Sequence, residues 1–190
     1  DISEPGTGNA SAGDPEFATS KADNQVVSLG DGGMAILTFE NPVVNGDGPD
    51  FTVFENGFQD DFLELAFVEV SSNGIDFFRF AAVSLTQTDM QVGAFGVLDA
   101  TKIHNLAGKY RVEYGVPFDL ADLPDEPLLD KQQVTHIRIA DVVGSIDDDY
   151  ATYDSQGNKV NEPWPTPFES SGFDLDAVGV IHEATQSVRE

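Results

Sequence analysis

Two carboxylates at the head of an apolar stretch pose the chemical question. In Ser170-Ser171-Gly172-Phe173-Asp174-Leu175-Asp176-Ala177-Val178-Gly179-Val180-Ile181-His182, a strand's period of two puts Phe173, Leu175, Ala177 and Ile181 on one face. Asp174, Asp176, Val178, Val180 and His182 fall on the other. Withdrawing both acids from water is costly unless a cation or hydrogen-bond donors meet them. Calcium suits such groups, because it takes about six to eight oxygens from carboxylates, amides, carbonyls and water. The companion acceptors lie in Asp50-Phe51-Thr52-Val53-Phe54-Glu55-Asn56. The expected metal set is therefore Asp50, Glu55, Asn56, Asp174 and Asp176. The competing reading is that these acids end strands in water or cap turns by accepting backbone amides.

A second constellation offers ligand binding. Trp164 stands among Pro163, Pro165 and Pro167, with Tyr150, Tyr153 and Asp154 upstream. Rigid aromatic faces beside carboxylates suit sugars, whose C–H faces stack on rings while hydroxyls donate to acids. The competing reading makes Trp164 a plug at one end of the fold. Glu55 with Asp174 is the pair that could hydrolyse a glycosidic bond, if held about 5–9.5 Å apart. The chain has no nucleophile elbow, no phosphate-cradling Gly-Lys loop and no triad signature, so catalysis is not expected. His104, His136 and His182 lack the spacing of a helical zinc pair.

The elements that must position these groups read as strands. Val26–Leu29 and Met34–Glu40 flank the turn Gly30-Asp31-Gly32-Gly33 and suggest a first hairpin. Leu63–Ser72, the Asn73-Gly74 turn and Asp76–Ala81 form a second. A short helical turn is expected after Asp99 and another over Phe118–Leu123, with strands over Tyr110–Tyr114 and Gln133–Val143. An acidic, irregular excursion runs from Gly144 to Pro167. With about eight strands and almost no amphipathic helix, the expected fold is all-β, an antiparallel β-sandwich. Residues 1–24 read as an extended arm, 25–184 as one domain and 185–190 as a tail.

Composition narrows the partners. The 190 residues carry 9 Lys+Arg against 34 Asp+Glu, a net charge of −25, and so repel nucleic acid. No cysteine is present, which excludes disulfides and thiolate metal sites. No apolar run approaches the ~18 residues of a membrane span, and no signal segment opens the chain, so export implies a mature or trimmed form.

Three stretches carry a family likeness: Leu29-Gly30-Asp31-Gly32-Gly33, Phe39 through Phe58, and Ser171 through Ile181. They resemble a pattern in uncharacterised bacterial cell-surface proteins, some bearing a PEP-CTERM-type sorting signal. Val68–Phe77 and His136–Asp141 are similar to a hairpin and a late strand of galactose-binding-like (discoidin-type) jelly rolls. That resemblance implies a sandwich with a structural Ca²⁺, an acid of the final strand among its ligands, and often glycan binding. The combined expectation is a non-catalytic extracellular or cell-surface module, Ca²⁺-stabilised, for adhesion or glycan capture. The alternatives are a subunit of an extracellular assembly with partner chains and, behind it, a carbohydrate-active enzyme.

Overall fold

The computed structural model describes residues 10–185. In chain order its strands are β1 (Val27–Ser28), β2 (Met34–Val43), β3 (Phe51–Glu55), β4 (Ala66–Ser71) and β5 (Phe78–Arg79). They continue as β6 (Val83–Ser84), β7 (Ile103–His104), β8 (Val116–Phe118), β9 (Val134–Asp141) and β10 (Asp174–Val180). One antiparallel sheet runs β1-β10-β3-β8 and a second β2-β9-β4-β5, with β6-β7 as a separate small ribbon. No helix among the described residues is long and apolar enough to cross a membrane.

Alternation makes the sandwich. Phe51 and Val53 of β3 with Leu175 of β10 meet Val68, Val70, Ile137 and Ile139 of the other sheet in one buried core. Phe51 stacks on Phe118 at 5.5 Å between ring centroids and meets Phe80 edge-on at 5.9 Å. A second apolar cluster joins Leu63, Leu65, Ile103, Leu106, Val142 and Val160, so the acidic excursion after β9 is packed in part instead of wholly solvated.

The Asn73-Gly74 turn returns β4 onto β5, pairing Glu69 with Arg79 and Val70 with Phe78. Ser71 Oγ accepts the amides of Asn73 and Gly74, which closes the loop locally. Glu69 is buried between Arg79 and Arg138, its neighbours on β5 and β9, and these cations lie over the rings of Phe67 and Phe77. Glu69→Gln leaves two adjacent guanidinium groups without their shared counter-charge. Because both arginines are partly solvated, the expected loss is about 2 kcal/mol, read as a lower urea midpoint at unchanged slope; no change would show that the triad contributes nothing.

Three expectations are corrected. The turn after β1 does not close a hairpin: β1 pairs with β10 and β2 with β9, so Gly30–Gly33 crosses from one sheet to the other. Tyr110–Tyr114 is a turn, closed by Tyr114 N donating to Arg111 O, and the strand begins at Val116. In β10 the register slips between Leu175 and Ala177, which leaves Asp176 as the extra residue of a bulge. Phe173 and Leu175 face the core before it, Val178 and Val180 pack on the core after it, and Ile181 is exposed. A bulge reverses the parity that simple alternation assumes. The arm also packs: a 3₁₀ turn over Pro15–Thr19 buries Ala18 in the main core. The expected arm residues 1–9 and tail residues 186–190 lie outside the described residues.

Candidate metal centre

Strand direction gathers acids at one end of the sandwich. The registers Ser28↔Asp174, Leu175↔Glu55, Met34↔Ala140 and Ala66↔Asp141 bring the end of β1, the end of β3, the start of β4, the end of β9 and the start of β10 together. Asp31 lies in the turn joining the sheets, Glu64 just before β4, and Glu162 reaches in from the excursion.

Hydrogen bonds hold most of these carboxylates. Asp141 accepts Gly32 N at 2.8 Å and Phe173 N at 2.6 Å. Glu162 accepts Leu65 N at 2.7 Å and Glu55 accepts Gly57 N at 2.7 Å. Asp174 is met by Ser28 Oγ and by the Asn56 side chain. Thr166 Oγ1 donates to Asp31 Oδ1 at 2.7 Å, while Asp31 Oδ2 is buried without a donor, as is Ser171 Oγ. No donor reaches the Glu64 carboxylate among the described residues. Two glycines let the segments approach. A Cβ at Gly108, whose φ is +81°, would lie 1.8 Å from Glu64 O, and one at Gly172, φ +67°, would lie 2.7 Å from both Asp141 Oδ1 and the Gly30 carbonyl carbon.

The electrostatics are unbalanced. No Lys, Arg or His among the described residues is ion-paired with any of the six acids. Burial pushes Glu55 up to about 8, with repulsion from Asp174 and Asp176 adding to it. Burial, then Asp174, Glu55, Asp141 and Asp31, push Glu64 up to about 9. Asp174 is raised by burial to about 6, against the pull of Ser28 and Asn56. Burial also raises Asp31, Asp141 and Glu162, and neighbouring carboxylates add to the shift of Asp141 and Glu162. Such a set either holds protons or holds a cation.

The donor chemistry fits calcium: hard oxygens from carboxylates, with hydroxyls of Thr166 and Ser171 beside them. The shell is not drawn tight, since no three Asp, Glu or His side chains among the described residues converge closely enough to hold a metal as placed. Side-chain rotation would have to close it.

The expected metal set divides. Glu55, Asn56 and Asp174 do meet at this end. Asp50 lies at the opposite end of β3, about 16 Å away at strand rise, where Oδ1 accepts Gly46 N and meets His182 Nδ1 while Oδ2 accepts Leu120 N. Asp176, in the bulge, accepts the amides of Asp23 and Asn24 at 3.1 and 3.2 Å and so clamps the arm. Both are amide-capping acids. Asp31, Glu64, Asp141 and Glu162 lie at the acid end beside Glu55 and Asp174. One signal for Asp141 was legible: it continues the inward parity of Ile137 and Ile139.

The expected ligand face also changes. Trp164 is 9% exposed and packs against Tyr150 at 5.7 Å, a plug and not a platform. Asp154 turns inward to Ser84 N, Gln156 N and Asn158. Tyr153 is exposed, with its hydroxyl donating to Asp148. Exposed rings gather elsewhere, over the acid end. A pocket of about 490 Å³ has Glu55, Glu64 and Asp174 in its wall and Phe58, Phe95 and Phe168 around it.

Comparison with protein-family profiles, curated proteins and solved structures finds no match to this chain.

Proposed function

We propose that this chain is a non-catalytic extracellular or cell-surface β-sandwich module, stabilised by Ca²⁺, that serves adhesion or the capture of a glycan or other ligand. The observation that carries the reading is the six-acid end, which has no Lys, Arg or His ion-paired to it among the described residues and in which buried Asp31 Oδ2 has no donor. Leaving those charges uncompensated is costly, and a divalent ion offsets several at once. Calcium is favoured over magnesium because acids arriving from six separate segments suit a large, flexible shell. An extracellular setting fits, since modules there bind calcium at ~10⁻⁴–10⁻³ M. The non-catalytic reading rests on the missing nucleophile and triad motifs and on a pocket whose acids serve better as ligands than as an acid and base pair.

Isothermal titration with CaCl₂ tests the site. The wild type is expected to bind, Asp31→Asn and Glu64→Gln to weaken binding about tenfold or more, and Asp176→Asn to leave it unchanged. An isotherm flat into the millimolar range removes the calcium reading.

A second reading, a subunit of an extracellular assembly, is supported by β2. This edge strand of its sheet exposes Met34 and Ile36 and carries no charge from Met34 to Phe39. Sedimentation across a concentration series tests it: monomers throughout would remove it.

A further inference from the structure

We infer that the phenylalanine-rimmed pocket over the acid end is the ligand site, and that its occupant is a neutral sugar coordinated through vicinal hydroxyls to a cation on the pocket floor. The inference rests on the calcium reading above and adds the ligand's place and chemistry. Phe58 is 72% exposed, Phe95 77%, Val97 59% and Phe168 40%, and all four line this one pocket. Single exposed hydrophobes are ordinary, but several around one concavity of about 490 Å³ mark a surface that is covered in use. Phe95 and Phe168 stand 5.4 Å apart between ring centroids and tilt by 32°, so they form one joint aromatic surface at the pocket.

The floor is the opposite in kind. Glu55, Glu64 and Asp174 line it. Thr166, also in the lining, donates to Asp31, whose other oxygen is buried and unpartnered. An occupant must therefore offer an apolar face to the rim and oxygens to the floor. A pyranose does both, since its axial C–H groups stack on aromatic rings and its adjacent hydroxyls supply ligands to a calcium whose shell the protein fills only in part. A lipid chain would leave the carboxylates desolvated without partners. An anionic polymer meets the repulsion of a chain at −25. An ammonium group would satisfy bare carboxylates and competes with the ion, so it is the alternative the test must separate.

Affinity electrophoresis through gels cast with galactomannan, xylan or dextran, in excess CaCl₂ or EDTA, reads the proposal. At least one polysaccharide is expected to retard the wild type in calcium and not in EDTA. Phe95→Ala and Phe168→Ala are expected to weaken that retardation about tenfold while their calcium isotherms stay unchanged. Three results would overturn the pocket and leave the ion in place: calcium binding without retardation on any gel, retardation untouched by both phenylalanine variants, or capture by polylysine beads that calcium does not displace. A flat calcium isotherm, or retardation that persists in EDTA, would instead overturn the metal reading beneath it.

Discussion

In excess EDTA at pH 8 the protein is expected to melt about 5–10 °C below its melting temperature in calcium at 100 times the dissociation constant. The ion then adds ~2.7 kcal/mol, and each kcal/mol moves a chain of this size by roughly 2–4 °C. The pH dependence gives the stricter test. Glu55, Glu64 and Asp174 all have folded pKa values above their unfolded ones, at about 8, about 9 and about 6. The folded state therefore binds more protons than the unfolded state, so stability without metal is fullest below about pH 4 for these groups and falls as pH rises through 6 to 9. For Glu55 alone, 4% exposed, the stability lost by pH 7, where the unfolded chain has ionised and the folded one still holds its proton, is on the order of 3 kcal/mol. Calcium reverses the slope, because it binds the ionised acids. The gap between the calcium and EDTA melting curves is expected to widen from pH 5 to pH 9. A gap that stays constant or narrows would mean that these carboxylates do not hold the ion.

The largest loss from a single substitution is expected at Asp50, and it is expected to ignore calcium. Asp50 is fully buried, and its carboxylate ties the loop amide of Gly46, the Leu120 amide that opens the 3₁₀ turn Leu120–Asp122, and the His182 ring. Its own carbonyl accepts Ile181 N and His182 N as the chain leaves β10. In Asp50→Ala the buried Leu120 amide loses its acceptor, worth ~1–3 kcal/mol, the part-buried Gly46 amide loses a weaker one, and a cavity is added. About 4 kcal/mol and roughly 10 °C of melting temperature should go, with the calcium-dependent shift preserved. If the shift disappears and the metal-free melting temperature stays, Asp50 belongs to the ion after all.

That contrast marks what could be read from the chain. Strands with long alternation, such as Val134–Asp141, and the turn at Asn73-Gly74 declare themselves locally, because period and turn chemistry are local properties. Glu55 and Asp174 were legible as candidates because each is an acid at the edge of an apolar run. Asp31 and Glu162 were not: one sits in a glycine turn and the other in an excursion, and only the crossing between sheets brings them together. Asp50 and Asp176 share the composition of the six-acid end, and what separates them is which end of a strand they occupy and a bulge that alternation cannot reveal. The sandwich was thus legible, and two of the six acids at its acid end with it. Trp164 misled for a related reason: proline neighbours predict rigidity but say nothing about which side of the ring the protein covers.

The slipped residue in β10 gives the gene one place where the strand can change length. Removing Asp176 would restore plain alternation with Val178 and Val180 still on the core side, and would detach Asp23 and Asn24 from their anchor. A frame-preserving loss of that one codon is expected to leave the sheet folded and to free the arm.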